Sequence, residues 1–370
     1  MNTLVSNKYG LKRVINASGR MSILGVSTIH DSVVDAMKTG AQQYIEMEQL
    51  VHKSGEVVAN YLGAEDATIV NSASSGIVLS IAGLIAKDNR YAVEKLYQSV
   101  HTLPNEVIMA KGHNVDYGAP VETMVNLAGG KVKEVGYANG CKIEQIEAAI
   151  TSETVAILYI VSNHCVKKGM PTLAEVKEVA TKHSIPLIVD AAAEEDLHHY
   201  IENSDLAIFS GSKALEGPTS GIVAGKKEYI SYIRAHGKGI GRAMKVGKES
   251  IFGLLQALEN YKEKTDTSAE QLKQLEKLNV LNELTGVKVT VQQDESGRAI
   301  YRGRIHIDGS VTKMNALEVV HMLKNGEVAI YTRDYLANIG SFDIDTRPLQ
   351  QGDMEMIVER VQAILGGETK

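Results

Sequence analysis

The chain has no tryptophan, three phenylalanines and two cysteines among its 370 residues. With so few large rings, Ile, Val, Leu, Met and the 15 tyrosines must fill any core. Two thiols, Cys141 and Cys165, are too few for a disulfide scaffold or a zinc site, so no metal is expected. A cytoplasmic protein with reduced thiols is the corresponding expectation. No apolar run exceeds strand length, so no membrane-spanning helix is expected. The N-terminal stretch MNTLVSNKYGLKRVINASG has no apolar signal core. Positive charge is also scarce: 39 Lys and Arg stand against 45 Asp and Glu, a net charge of −6. Without a basic tail or run, a nucleic-acid surface is not expected.

The chain is 44% hydrophobic and 23% charged, which suits a large core divided over two domains. Between residues 65 and 230, short apolar runs alternate with amphipathic stretches such as 172–183. The runs fall at 67–70, 106–109, 131–135, 155–161, 187–189, 206–209 and 221–224. Seven strands with helical crossovers predict a mostly parallel sheet covered on both faces. One helix is expected from about 30 to 60 and another from about 249 to 283. Strands at 286–293, 302–307 and 328–332 then interleave with helices at 313–323 and 352–365, and residues 292–297 read as a turn. The expected division is a large domain over 1–250 and a small α+β domain over 251–370.

Lys213 and Asp190 carry the chemistry. Lys213 follows the strand Leu206–Phe209 in a Ser-Gly-Ser-Lys turn, and Asp190 ends the strand Leu187–Val189. A lysine and an acid at successive strand ends suit pyridoxal phosphate. The amine makes a Schiff base with the cofactor's aldehyde, and the carboxylate keeps the pyridine nitrogen protonated. The other reading of Asp190 is a helix N-cap. The turn before a helix expected near Ile77, with Ser74, Ser75 and Gly76, offers small residues and free N–H groups for the cofactor phosphate, aided by Ser210 and Ser212. His113 and His164 follow strands and would open at the carboxyl edge of the sheet. His113 is a candidate acid, base or ring-stacking group, and His198 and His199 read as helix surface. Arg347 offers a guanidinium fork for a substrate carboxylate, or else a surface salt bridge. The segment 236–242 is glycine-rich but does not follow the expected strand. It reads as a flexible basic loop near an anionic ligand, not as a dinucleotide fingerprint.

Together these residues resemble fold-type-I pyridoxal-phosphate enzymes, and among them the selenocysteine synthase-like group. The similar segments are INASGR at 15–20, SNHCVKKGMPTLAEVKEVA at 162–180, VDAAAEED at 189–196, SGSKALEGPTSGIVAG at 210–225 and GRAMKVGKESIFGLLQALE at 241–259. The resemblance implies a homodimer or higher homo-oligomer, and it implies the roles given above for Lys213, Asp190 and the Ser74–Gly76 turn. The catalytic pattern starts near residue 10 without a preceding tRNA-binding region, so a tRNA substrate is not expected. The stretch HNVDYGAPVETMV at 113–125 is similar to members acting on small molecules. That likeness implies a lyase removing water and ammonia from a 2-amino-3-hydroxy acid, a phosphorylated amino-sugar acid. On this reading Arg347 and His164 meet the substrate, and Arg242, with Lys245 beside it in the basic loop, meets its phosphate. The alternatives are a Cβ–S lyase, an aldolase or a selenium transferase acting on seryl-tRNA. Outside enzymes, they are a tRNA-binding protein or a non-catalytic cofactor carrier.

Overall fold

The computed structural model describes residues 8–294 and 297–366. Glu295 and Ser296 of the expected turn, and residues 1–7 of the N-terminal stretch, lie outside the described residues. Twelve strands occur in them: β1 Val14–Ala17, β2 Asp66–Val70, β3 Glu106–Ala110, β4 Lys131–Val135, β5 Thr154–Ile160, β6 Leu187–Asp190, β7 Leu206–Ser210, β8 Gly221–Gly225, β9 Val287–Gln293, β10 Tyr301–Ile307, β11 Ala329–Thr332 and β12 Ser341–Asp345.

The chain divides into two units. One is Ile29–Glu263, and the other joins the described residues up to Thr28 with those from Lys264 onward. This differs from the division expected at residue 250, for two reasons. β1 pairs in parallel with β11, which draws the N-terminal segment into the second unit. The helix expected over 249–283 is also broken. Lys248–Lys262 is helical, and the chain resumes at Ser268–Leu275 before a 3-10 stretch, Glu276–Glu283. Asp266 accepts hydrogen bonds from both the N–H and the hydroxyl of Ser268. Such local side-chain bonds compete with a continuing helix and favour its interruption.

The large unit holds a seven-stranded sheet in the order β2-β8-β7-β6-β5-β3-β4. All neighbours are parallel except β8, which is antiparallel to both β2 and β7. Strands buried on both faces read as continuous apolar runs, and successive residues feed opposite sides. Leu206 and Ile208 of β7 join one core, while Ala207 and Phe209 join the other. The first core is built around the helix Ala73–Ala86, which is buried from Ser75 onward. Gly76 brings that helix onto the sheet: a Cβ there would lie 3.0 Å from Ile208 Cγ2 and 3.1 Å from Val223 Cγ2. The stretch expected as one helix over 30–60 is two, Asp31–Ala41 and Met47–Leu62.

The second unit contains the parallel pair β1-β11 and an antiparallel sheet ordered β12-β10-β9. That sheet is two-faced. Ile305, Ile307, Phe342 and Ile344 enter the core with the helices Ala316–Asn325 and Asp353–Gly366. On the alternate positions Arg302 lies opposite Asp345, and Arg304 opposite Asp343. No helix among the described residues is long and apolar enough to cross a membrane.

Candidate active site

The register of the large sheet brings the expected residues to one edge. Ile160 lies opposite Asp190, and Asp190 opposite Ile208, so β5, β6 and β7 end together. Because β8 runs the other way, its first residue Gly221 meets the last residues of β2 and β7, Val70 and Ser210. The turns after β2 and β7 therefore flank the entry to β8. The approach is tight: a Cβ on Gly221 would lie 2.6 Å from Ser72 C and 2.7 Å from Ala73 N. Gly211 similarly closes on Ser220 and donates its N–H to Ser220 O at 2.9 Å. These contacts fix the turn carrying Lys213, which is half-buried.

Asp190 is 8% exposed and has no ion pair among the described residues. Its Oδ1 accepts the N–H of Ala192 at 3.1 Å. Burial pushes its acid up to about 6, while the positive charge of Lys213 and the Ala192 N–H hold it back. This buried carboxylate has no cation in direct contact among the described residues.

The helix begins at Ala73, so Ser74, Ser75 and Gly76 lie in its first turn and not in the turn before it. Ser75 is committed to a capping box. Its N–H donates to Ser72 Oγ and its Oγ accepts from Ser72 N–H, both at 3.1 Å. Gly76 donates to Ser72 O and serves helix packing. The first-turn N–H groups of Ala73 and Ser74, with the Ser74 hydroxyl, are what remains for an anion. Of the three residues expected to hold the cofactor phosphate, Ser75 caps the helix and Gly76 packs it on the sheet. Ser210 and Ser212 are buried with their hydroxyls 3.3 Å apart.

His113 follows β3, as expected, in the 3-10 turn Lys111–His113, and it is buried. Its Nδ1 accepts the N–H of Ile160 at 3.4 Å, and its ring meets Tyr159 edge-on with centroids 4.6 Å apart. Burial pulls its pKa down to about 4. At neutral pH the ring is uncharged, with its proton on Nε2. Tyr117 was missed. It stands four residues on in the same loop, and its hydroxyl donates to Ser74 Oγ at 3.3 Å. Burial raises its pKa, and the negative charge of Asp190 adds to the rise. Its signal was its place in a loop at the carboxyl edge. Cys165 is buried there too, and burial pushes its thiol up to about 12, away from any nucleophilic role.

Other expected residues are placed differently. His164 is exposed in the loop after β5, its N–H donating to Ser162 Oγ at 3.2 Å. His198 and His199 lie on the short helix Leu197–Glu202, exposed as expected. The segment 236–244 is not a loose loop but a pair of 3-10 turns around a buried His236, with Arg242 and Lys245 exposed. Arg347 belongs to the other unit, and its fork is already filled. Nε donates to Asp345 Oδ1 at 2.9 Å and Nη2 to Asp345 Oδ2 at 2.6 Å. Asp345 is fully buried, so the pair is not a surface salt bridge.

The sheet order, the Lys213 turn and the buried Asp190 define a fold-type-I enzyme. Aspartate aminotransferase from Thermus thermophilus shares that fold, with a TM-score of 0.56 at 15% identity over 98% of this chain and 94% of that one. The L-seryl-tRNA selenium transferase (SelA) family matches residues 14–301, and the chain belongs to it. Within that family, D-glucosaminate-6-phosphate ammonia lyase of Salmonella typhimurium is 43% identical over 362 residues, 97% of each chain. A solved structure of D-glucosaminate-6-phosphate ammonia-lyase superposes with a TM-score of 0.92, at 42% identity and 99% of both chains. A 5'-C-glycyluridine monooxygenase-decarboxylase from Streptomyces is 35% identical over 98% of this chain and 92% of that one. The L-seryl-tRNA(Sec) selenium transferase of Alkaliphilus metalliredigens is more distant, 26% identical over 96% of this chain and 82% of that one.

Proposed function

We propose that the protein is a pyridoxal-phosphate-dependent lyase that converts D-glucosaminate 6-phosphate to 2-keto-3-deoxy-6-phosphogluconate and ammonia. The observation that carries this is the buried carboxylate of Asp190 beside the Lys213 turn, in a chain 43% identical to an enzyme of that name. The residues fit the cofactor. A pyridinium nitrogen would give Asp190 a cation in contact, the Ala73 and Ser74 N–H groups would donate to a phosphate, and Lys213 would offer its amine to the aldehyde. Tyr117 joins the phosphate group through its bond to Ser74. When bound, pyridoxal phosphate supplies an electron sink for the charge left at a substrate Cα.

The chain's own residues do the rest. Asp190 would hold the ring nitrogen of the bound cofactor protonated, keeping the sink electron-poor. Lys213 removes the proton from C2 of the amino acid. The resulting ammonium can return a proton to the hydroxyl leaving C3, so hydrogen and hydroxyl depart together as water. The product enamine then takes up water and releases ammonia, leaving the ketone at C2, so that the substrate's atoms are divided between keto acid and ammonia. His113 is neutral, and its Nε2–H is a poor acid. We assign it to packing against the ring and not to proton delivery. Arg242 and Lys245 are exposed cations for the 6-phosphate. A homodimer or higher homo-oligomer, in the cytoplasm, goes with this reading.

The test is ammonia and keto-acid release over a panel: D-glucosaminate 6-phosphate, D-glucosaminate, serine and threonine. The proposal expects equimolar ammonia and 2-keto-3-deoxy-6-phosphogluconate from the first, and a lower kcat/KM for the unphosphorylated acid. Equal kcat/KM for the two sugar acids, or release from the hydroxy-amino acids alone, refutes it.

A further inference from the structure

The loop between β3 and the helix Val121–Leu127 crosses the sheet edge at which Asp190 and Lys213 lie. In the sheet order β2 and β3 are separated by β8, β7, β6 and β5. At about 4.8 Å between neighbouring strands, the ends of β2 and β3 stand roughly 24 Å apart. Tyr117 of this loop nonetheless donates its hydroxyl to Ser74 Oγ, in the helix that follows β2, at 3.3 Å. The bond therefore spans the strand ends that carry Asp190 on β6 and the Lys213 turn after β7. Burial keeps the Tyr117 hydroxyl protonated, so it stays a donor.

The loop is ordered from within. Val121 donates its N–H to Val115 O at 3.1 Å, Tyr117 donates to Ala119 O at 3.3 Å, and Asp116 bridges to Pro120. At the tip, Asp116 Oδ1 accepts the Gly118 N–H at 2.7 Å, and Gly118 takes a φ of +111°, which suits glycine alone. Asn114 ties the base of the loop to Glu122 and Glu134. The tip residues Asp116, Gly118 and Pro120 are exposed. Such a hairpin can move as one piece once its far contact is broken. That contact is a bond between two neutral hydroxyls, which contributes little to stability and is easily opened. As the acceptor for Tyr117, Ser74 keeps its own hydroxyl hydrogen for an anion at the first-turn N–H groups, so the bond and a bound phosphate reinforce each other.

We infer that residues 114–120 form a strap over these strand ends, latched by Tyr117 on Ser74, which opens for pyridoxal phosphate to enter or leave and is held shut by the cofactor's phosphate. The identity of the cofactor rests on the proposed function. The strap regulates cofactor exchange, and no step of the reaction passes through it.

The experiment is stopped-flow uptake of pyridoxal phosphate, and of pyridoxal, by the full-length protein stripped of cofactor. Release is followed separately, after the holoenzyme is diluted into a phosphatase that destroys free cofactor. Tyr117→Phe should take up both ligands roughly 2- to 10-fold faster, since the latch opens for either. It should release pyridoxal phosphate faster by at least the same factor. Ser74→Ala should match it in uptake, and the double variant should add nothing, because either change removes the same bond. Gly118→Ala leaves the latch atoms in place and strains the tip without a clash, since nothing lies within 4 Å of the added Cβ. It should speed uptake too. Thermal midpoints of the stripped proteins should stay level. Faster release with unchanged uptake overturns the strap and makes Tyr117 a plain phosphate ligand. A Tyr117→Phe midpoint lower by several degrees overturns it in favour of a structural tyrosine. Both results leave the proposed function standing, because no substrate enters the measurement. If the uptake pattern appears in a protein that turns over no amino-sugar acid, the proposed function fails and the strap stands. A wild type that takes up neither ligand overturns both.

Discussion

Asp190 and His113 are both buried at the carboxyl edge of the large sheet, and they should give the cofactor-free protein two opposed pH dependences. The Asp190 acid rises from 3.8 to about 6 on folding. The native state therefore binds the extra proton, and stability from this group is lost as pH rises from about 4 through 6. At about 1.4 kcal/mol for each tenfold displacement, the loss is about 3 kcal/mol at neutral pH. His113 falls from 6.5 to about 4. There the unfolded chain binds the extra proton, so stability is lost as pH falls from 6.5 towards 4, again by about 3 kcal/mol. In wild type the two nearly cancel between pH 4 and 6.5. Urea unfolding of the stripped protein across pH 4 to 8 separates them. Relative to wild type, Asp190→Asn should gain about 3 kcal/mol between pH 4 and 7, and His113→Phe should gain a similar amount as pH falls over the same range. Restoring the cofactor should abolish the Asp190 slope and leave that of His113. Curves of the two variants running parallel to wild type would refute the burial argument for both groups.

Gly221→Ala should push a Cβ into the Ser72–Ala73 backbone and displace the turn assigned to the phosphate. Cofactor affinity, read by equilibrium dialysis, should fall roughly tenfold or more, with about 1–3 kcal/mol of stability lost; unchanged affinity would move the phosphate elsewhere. Arg347→Ala should destabilise by about 3–5 kcal/mol, because fully buried Asp345 would be left to Arg302 alone. Wild-type stability with a raised KM would return Arg347 to the substrate.

Six of the seven strands of the large sheet were legible as short, largely buried apolar runs, whereas β4, Lys131–Val135, is a half-exposed strand that alternates polar and apolar residues. Lys213 and Asp190 were legible because residues that end such strands share an edge whatever the strand order. Sequence periodicity was blind to contacts made across the chain. β1 is four residues long and finds its partner more than 300 residues later. Arg347 looks available until Asp345, two residues away, is seen to be fully buried and to need a cation. Gly76 reads as a phosphate-turn glycine, yet its reason is the pair of methyl groups from Ile208 and Val223 beneath it. Ser75 has a local task that the sequence reading did not assign: Ser72 three residues earlier makes it the second half of a cap.

The central claim is that Lys213 holds the cofactor. Borohydride reduction of the purified holoenzyme, followed by digestion and mass spectrometry, tests it most directly. The pyridoxyl mass should fall on the peptide containing Lys213, with loss of the visible absorption band, and Lys213→Ala should show neither the labelled peptide nor turnover. The label on any other lysine, or no label on a protein that still releases ammonia from D-glucosaminate 6-phosphate, would contradict it.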